Sequence, residues 1–335
     1  MQVLITGGSG CVGRAVVRQF LKNGWKVTVL VHPNDAHLFP FSPEEKIKIV
    51  AKILNNVSVV DIPEECIVVH LAANVHTVPK TEKEIQDFFY VNRDGTIKLA
   101  QCAKKRNIKG FVFVSTNGVY GDKLHEEICS EETLPTPNSP YTQSKYEAEQ
   151  QLLQIFSESF PLIIFRPSVM FGPGDRGNFL KLFKMTKRGF VPMIQGGQSL
   201  KNILYVNDLA SVIKFAASNL EKFNARIYNV AYSKPYTFYE LISAVSKVTK
   251  KNVLSVSVPK FLLLPPAILC EGISYFFKKE LPLSIRKLNI LGKNSVMQTD
   301  KLMMVLNNQL KLHSFEEGLK DYIQSGFSPW GTLCK

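Results

Sequence analysis

The sequence predicts an α/β fold of the doubly wound type, with a parallel sheet and a smaller, mostly helical C-terminal lobe. A glycine-rich turn joins a buried strand to a helix within residues 1–20. Strands and helices then alternate to residue 165, and the alternation loosens from residue 166 onward. We therefore expect residues 1–165 and 196–232 to form the sheet domain, and residues 166–195 and 233–335 to form a substrate-binding lobe.

The first element is the turn Thr6–Gly13, which follows the apolar strand Val3-Leu4-Ile5. Gly7 permits a tight reversal, Gly10 lets the backbone approach a pyrophosphate, and Gly13 lets the helix pack closely on the strand. Free N–H groups and the helix dipole at this helix start favour a diphosphate. The turn therefore predicts dinucleotide binding; the alternative is a flexible turn in another α/β domain.

Later elements follow the same pattern. Buried parallel strands are predicted at residues 26–30, 47–50, 66–71, 110–115 and 162–165, with helices at 94–105 and 141–156. Beyond residue 166 we expect an amphipathic helix at 178–188, strands at 203–206 and 227–230, and a helix at 241–248 that a capping box opens. The elements that follow complete the smaller lobe over the carboxyl edge of the sheet, where open α/β sheets bind ligands.

The net charge of +13 is concentrated in the second half of the chain. Residues 1–165 hold 17 Lys+Arg and 18 Asp+Glu, whereas residues 166–335 hold 24 and 10. This asymmetry indicates an anionic partner, either a charged small ligand or an acidic membrane surface, with a merely solvated basic surface as the alternative. No zinc-finger or aromatic-rich RNA-binding pattern is present, so nucleic acid is not expected.

The six cysteines are scattered, with no C-x-x-C pair and no spacing typical of zinc. They suggest thiols of a reducing compartment, and no basic segment precedes the first strand, so we expect a cytoplasmic protein without a metal. The apolar run 261–270 contains two prolines and is far shorter than the ~20 residues that span a bilayer. We expect it to be a core or interfacial segment.

A tyrosine and a lysine four residues apart carry the predicted chemistry. Pro140 suits a helix start, and residues four apart share a helix face, so the Lys145 ammonium can lie near the Tyr141 phenol. A neighbouring cation, joined by an oxidised nicotinamide ring, favours phenolate and so lowers a tyrosine pKa from ~10. A tyrosine and a lysine at this spacing are often an ordinary pair on a helix surface. When they follow a dinucleotide-binding turn in the same chain, they predict a proton-transfer site.

Thr116 follows a predicted strand at its carboxyl end, where a hydroxyl projects into the cleft. We expect it to hydrogen-bond the reacting oxygen and orient it toward Tyr141. In the alternative interpretation, Ser115 and Thr116 merely cap a loop.

These motifs together resemble the extended short-chain dehydrogenase/reductases of the NAD-dependent epimerase/dehydratase branch, over nearly the whole chain. The motifs are Thr6-Gly7-x-x-Gly10-x-x-Gly13, His70-Leu71-Ala72-Ala73, Asn92-x-x-Gly95-Thr96, Ser115-Thr116-x-x-Val119-Tyr120-Gly121, Pro140-Tyr141-x-x-x-Lys145, Arg166-Pro167, Phe171-Gly172-Pro173-Gly174, Tyr205-Val206-x-Asp208 and Tyr228-Asn229-Val230. The resemblance implies a Rossmann-type sheet domain.

By this resemblance, Thr116, Tyr141 and Lys145 form a catalytic triad for hydride transfer between a nicotinamide and a carbinol carbon. Tyr141 exchanges the hydroxyl proton, and Lys145 also holds the nicotinamide ribose. The implied cofactor-binding residues are Gly7, Gly10, Cys11, Val12, Gly13, His32, Leu71, Ala72, Ala73, Asn92, Tyr141, Lys145, Pro167 and Val169.

The chain departs from the family pattern at the end of the second strand. Members that prefer NAD place Asp or Glu there to bind the ribose 2′-hydroxyl, whereas this chain has Val31-His32. A missing carboxylate permits a 2′-phosphate, to which His32 offers a donor. The expected cofactor is therefore NAD(P), with NADP(H) favoured over NAD.

A second departure follows the catalytic threonine. Family dehydratases have Asp-Glu at this place, which supply an acid and a base for the loss of water, whereas this chain has Asn117-Gly118. Dehydratase activity is therefore not expected, and a reductase, dehydrogenase or epimerase remains. His76 and His125 are interpreted as loop residues.

The expected substrate is a nucleotide sugar, most simply a UDP sugar of polysaccharide biosynthesis. Thr116 and Asn117 would face the sugar, while Asn178 at a helix start and Lys201 before the Val-x-Asp motif would bind the diphosphate. Lysine at position 201 cannot bind the diphosphate in the bidentate manner of an arginine. A homodimer is expected.

Two alternatives stay open. The first is an apolar alcohol or ketone of the steroid or flavonoid type, which the segments 261–269 and 275–277 would admit. Peripheral membrane contact through Lys278-Lys279 is open with it. The second is a dinucleotide-sensing protein without catalysis, against which the complete set of Thr116, Tyr141 and Lys145 argues.

Overall fold

A computed structural model of the chain describes residues 1–38, 47–75, 79, 81–175, 178–277 and 285–325. Its strands are β1 (Gln2–Thr6), β2 (Lys26–Val31), β3 (Ile47–Ala51), β4 (Ile67–His70), β5 (Gly110–Val114), β6 (Leu162–Pro167), β7 (Val169–Phe171), β8 (Phe190–Ile194), β9 (Leu200–Lys201), β10 (Ile203–Tyr205), β11 (Ile227–Val230), β12 (Tyr236–Thr237) and β13 (Leu254–Val258). Its α-helices are α1 (Cys11–Lys22), α2 (Glu82–Phe88), α3 (Gly95–Lys104), α4 (Pro140–Ile155), α5 (Asn178–Lys187), α6 (Val206–Ser218), α7 (Phe238–Thr249), α8 (Lys260–Phe277), α9 (Ile285–Gly292), α10 (Asp300–Leu306) and α11 (Phe315–Gln324).

Seven strands form the main sheet, in the order β11-β6-β5-β4-β1-β2-β3. All neighbours in it are parallel. The chain leaves β1 toward β2 on one side and later returns to β4 on the other, so a crevice opens at the carboxyl ends of β1 and β4. The predicted α/β class with a parallel sheet of the Rossmann type is confirmed.

The sheet is covered on both faces, which explains why its strands are almost continuously apolar. Alternate side chains point to opposite faces: Val3 and Ile5 of β1 join the core formed with α1 and α6, whereas Leu4 joins the core formed with α3 and α4. The sheet domain therefore has two apolar layers, and its functional groups can lie at strand ends.

The glycine turn is tight enough to exclude side chains at two positions. Gly7 has φ +70°, and a Cβ there would lie 2.7 Å from the Ala72 backbone. A Cβ on Gly13 would lie 2.1 Å from the Gly7 carbonyl oxygen. Glycine at both positions lets α1 begin directly above the end of β1, as the sequence predicts.

A buried ion pair joins α4 to the end of β6. The Arg166 Nη2 lies 2.6 Å from the Glu149 Oε2, with the two side chains 2% and 0% exposed. Arg166 also donates to the Tyr120 hydroxyl. Burial disfavours the Arg166 cation, but the Glu149 charge raises its pKa above the usual value. Because either partner left alone would be a buried unpaired charge, the pair fixes the orientation of α4 on the sheet.

The elements beyond β6 form short two-stranded sheets, β10-β7, β12-β9 and β13-β8, with helices around them. An aromatic cluster holds α11 against the β7–β10 pair: the Phe171 ring lies 5.0 Å from the Phe315 ring and 5.2 Å from the Tyr205 ring. β11 returns to the main sheet beside β6.

The apolar run 261–270 lies in α8, which contains Pro265 and Pro266. Only one side chain of this run, Ala267, is buried, so the run is not part of the core. Among the described residues, no helix combines the length and apolar character needed to cross a membrane. His76 and Lys278-Lys279, named above, lie outside the described residues.

Candidate active site

The candidate site is built where α4 starts beside the end of β5. Ser139 caps α4 by accepting the Thr142 N–H at 3.3 Å, and Pro140 occupies the first turn, where its missing N–H costs nothing. These local preferences fix where the helix begins. They therefore also fix the positions of Tyr141, in its first turn, and Lys145, one turn later.

Tyr141 and Thr116 meet at this point. The Thr116 hydroxyl lies close enough to the Tyr141 phenol to influence its pKa. Thr116 also accepts the Gly118 N–H at 3.1 Å, so the loop-capping role is present together with the proximity to tyrosine. Burial raises the pKa of Tyr141 to about 12, and the neighbouring Thr116 hydroxyl opposes this shift. In the chain without ligand the phenol is therefore protonated at neutral pH.

Lys145 lies deeper, with its ammonium inside the protein. Its Nζ donates to the Val114 carbonyl oxygen at 2.6 Å and lies 4.0 Å from the centre of the Phe113 ring. Burial lowers its pKa to about 7, and the negative charge of Glu149, one turn further along α4, opposes this shift. From the sequence, the Lys145 ammonium was expected to point at the Tyr141 phenol. In the structure it is bonded to the carbonyl oxygen of Val114, two residues before Thr116.

A buried histidine connects the glycine turn to this region. Thr96 donates to the Asn92 carbonyl oxygen at 2.6 Å, so it accepts from the Nε2–H of His70 at 2.7 Å. The Nδ1 of His70 then accepts from the Thr6 hydroxyl at 2.6 Å. Burial and the nearby Lys145 charge hold the pKa of His70 well below its usual value. His70 is thus a neutral link with one defined tautomer.

Asn92 belongs to the same network. Its side-chain Oδ1 accepts the Asn74 N–H at 2.7 Å, and its side-chain Nδ2 donates to the Asn74 backbone oxygen at 3.1 Å and to the Ser144 hydroxyl at 3.0 Å. With its amide bonded inside the protein, Asn92 joins the segment after β4 to α4. The sequence placed it among the cofactor-binding residues.

The crevice at the strand ends fits a dinucleotide. Gly10 caps α1, whose first turn has no acidic side chain to repel a diphosphate. The hydroxyl oxygens of Ser115 and Ser168, which follow β5 and β6, are buried without a hydrogen-bond partner among the described residues. Unpaired buried hydroxyls are costly, so both indicate a polar ligand group at this edge. Ser168 lies within the segment 167–169, which the family resemblance implied to lie beside the nicotinamide.

The remaining predicted cofactor residues surround the same crevice. Leu71 and Ala72 donate their N–H groups to the Thr6 hydroxyl, each at 3.2 Å. Ala73 is half-buried beside them. Cys11 and Val12 begin α1, Pro167 ends β6 and Val169 begins β7. The Cys11 thiol donates to the Pro173 carbonyl oxygen at 3.1 Å, and burial raises its pKa to about 12, so it is an unreactive thiol.

A carboxylate that was not predicted from the sequence approaches the glycine turn. Ser9 donates to Asp35 at 3.4 Å, and Asp35 lies in the short 3₁₀ helix after β2. His32, at the predicted place, is exposed and accepts the Asn34 N–H. The sequence does contain this acidic residue, four positions beyond the end of β2. Only the 3₁₀ helix, by reversing the chain, brings it next to the glycine turn.

The predicted substrate residues are more widely spread. Asn117 is buried directly after Thr116. Asn178 is the first residue of α5. The Lys201 ammonium donates to the carbonyl oxygens of Ile290 and Lys293, and burial lowers its pKa to about 8. The structure therefore brings Asn117 to the triad but bonds Lys201 within the C-terminal lobe.

Two known proteins show how far the likeness to this chain extends. UDP-glucose 4-epimerase of Vibrio cholerae is 27% identical over 267 residues, which is 77% of this chain and 78% of that protein. A 3-beta-hydroxysteroid dehydrogenase of Mycolicibacterium neoaurum is 30% identical over 231 residues, which is 65% of this chain and 61% of that protein.

Among solved structures, UDP-N-acetylglucosamine 4-epimerase of Methanobrevibacter ruminantium, in complex with UDP-N-acetylmuramic acid, superposes with a TM-score of 0.73 at 23% identity. The match covers 96% of this chain and 97% of that one, and it confirms the fold. A model of the NAD dependent epimerase/dehydratase family matches residues 3–231. The resemblance read from the motifs is therefore confirmed, and the chain belongs to the NAD dependent epimerase/dehydratase family.

Proposed function

We propose that this chain is an oxidoreductase or epimerase that moves a hydride at a carbinol carbon of a nucleotide sugar, with Thr116, Tyr141 and Lys145 as its catalytic residues. The proximity of Thr116, just after β5, to Tyr141, in the first turn of α4, carries the proposal. It brings a hydroxyl close to a phenol at the carboxyl edge of a parallel sheet, where ligands of this architecture bind.

In this proposal the phenol oxygen of Tyr141 exchanges the proton of the reacting hydroxyl, while Thr116 orients that hydroxyl. The raised pKa of Tyr141 makes it a proton donor in the chain without ligand. A role as base requires positive charge nearby, which the buried Lys145 ammonium provides in its protonated form. A bound nicotinamide cofactor would supply the hydride donor or acceptor.

We propose NAD as the preferred cofactor, in place of the NADP(H) favoured from sequence. The sequence argument depended on the absence of a carboxylate near the end of β2. Asp35 lies within 3.4 Å of Ser9 in the glycine turn, and its negative charge would repel a 2′-phosphate. His32 offers only an exposed ring whose Nδ1 accepts the Asn34 N–H.

A UDP sugar is the substrate class we favour. The Vibrio cholerae and Methanobrevibacter ruminantium relatives are both named for UDP sugars, and the second half of the chain has the excess of Lys and Arg that a diphosphate needs. At the start of α5, the Leu180 N–H donates to the Asp175 carboxylate at 3.2 Å, so a diphosphate bound there would have to displace this carboxylate. Asn117-Gly118 provides no acid and no base, so we do not propose loss of water.

A second candidate substrate is an apolar alcohol. The exposed apolar side chains of α8 favour it, and the Mycolicibacterium neoaurum relative is named as a hydroxysteroid dehydrogenase. A ligand series separates the two candidates.

Replacing Tyr141 by Phe should lower turnover about 100-fold or more while NADH affinity changes less than threefold, because only the proton-carrying oxygen is lost. Steady-state rates and NADH fluorescence titration measure the two quantities. Tyr146→Phe, on the same helix, is the control and should retain wild-type turnover. Equal turnover in Tyr141→Phe and wild type would refute the proposed triad.

UDP and UDP sugars should raise the melting temperature by several degrees at ~100 times the dissociation constant, since such binding adds about 2.7 kcal/mol. Steroids and flavonols should leave it unchanged. Differential scanning fluorimetry with NAD present makes the comparison. The opposite ranking would replace the sugar proposal by the apolar one.

Asp35→Asn should tighten NADPH binding at least fivefold and weaken NADH binding, because the repulsion of a 2′-phosphate is removed and a charged acceptor for the ribose hydroxyl is replaced by a neutral, weaker one. Fluorescence titration of both reduced cofactors gives the ratio of dissociation constants. Glu64→Gln, an exposed site elsewhere on the sheet domain, is the control. Wild-type protein that binds NADPH more tightly than NADH would contradict the NAD preference.

A further inference from the structure

Helix α8 is apolar around its circumference, yet most of its described side chains face solvent. Phe261 and Leu269 are 67% and 65% exposed, and Leu262 and Ile268 are 55% and 58% exposed. Such a helix is stable in a protein core or in an apolar surrounding of another kind. Contiguous exposed apolar residues, unlike scattered ones, mark an interaction site.

The neighbouring strands before α8 also carry exposed apolar side chains. Leu254 and Val256 of β13 are exposed, and so is Phe190 of β8, which pairs with Leu254 in the parallel register. Leu254 and Val256 point to the same side because side chains alternate along a strand. We call the set Phe190, Leu254, Val256, Phe261, Leu262, Ile268 and Leu269 the α8 surface.

Exposed cations lie at one end of the α8 surface. Arg188 precedes β8, and Lys250 and Lys251 precede β13. The Leu254 N–H donates to the Gly189 carbonyl oxygen at 2.8 Å, so the two chain segments that carry these cations run side by side. Apolar side chains beside clustered Lys and Arg are typical of surfaces that bind anionic lipid bilayers.

We propose that the α8 surface docks on an anionic lipid bilayer, with its apolar side chains in the interface and Arg188, Lys250 and Lys251 against the headgroups. The helix lies along the membrane and does not cross it, in keeping with its two prolines. A second copy of the chain fits less well, because a two-fold contact brings the α8 surface against itself, and this set of residues offers the cations no acidic partner. The proposal stands independently of the substrate and the reaction.

The test uses the full chain and extruded vesicles, one set of pure phosphatidylcholine and one with about 30% phosphatidylglycerol. Co-sedimentation should show binding to the anionic vesicles that weakens in about 0.5 M salt. Lys250→Gln/Lys251→Gln should lower the partition coefficient about thirtyfold. Phe261→Glu/Leu269→Glu should abolish binding, whereas the control Val60→Glu/Leu134→Glu, which changes exposed apolar residues elsewhere, should bind like wild type.

Far-UV circular dichroism and melting curves near wild type show that each variant is folded. Wild-type protein that ignores anionic vesicles, or α8 variants that bind as well as wild type, would overturn the proposal. So would sedimentation as a dimer that Phe261→Glu/Leu269→Glu converts to a monomer, because a second copy would then cover the surface. Vesicle binding by an inactive Tyr141→Phe variant would support membrane docking. Loss of membrane binding and loss of catalysis can therefore be measured separately.

Discussion

The candidate site depends on a cation held inside the protein. The Lys145 ammonium is bonded to the Val114 carbonyl oxygen and faces the Phe113 ring, both at the end of β5. Burial disfavours its charge and lowers its pKa to about 7, while Glu149 opposes this shift. Because the anchor lies one turn after Tyr141 on α4, it orients the helix so that the phenol reaches Thr116.

Two further sets of buried polar groups hold α4 in this orientation. Arg166 binds Glu149 from the end of β6, and Asn92 binds Ser144 from the segment between α2 and α3. His70 extends the second set to Thr6, at the entrance to the glycine turn. The glycine turn and the start of α4, which carries the proposed catalytic residues, are thus joined by one continuous network, in which each buried donor needs its partner.

Much of this could be predicted from local patterns. Strand β11 was predicted at its observed bounds, and α4 within one residue, since apolar runs and helix caps are read over short windows. Asp35 was missed because only the folded chain brings it to the crevice. Helix α8 was not predicted, since Pro265 and Pro266 disfavour a helix. The exposure of its apolar side chains could not be predicted either, because no pattern in the sequence indicates it. The bonding of Lys201 was missed because its partners lie about 90 residues later in the chain.

The central claim is that Tyr141 and Thr116 act on one oxygen of a bound sugar. A crystal structure of the chain with NAD and the nucleotide sugar that stabilises it most tests this directly. The account predicts one sugar hydroxyl within about 3 Å of both the Tyr141 phenol oxygen and the Thr116 hydroxyl oxygen. A sugar whose hydroxyls all lie beyond hydrogen-bonding reach of Tyr141 would contradict it.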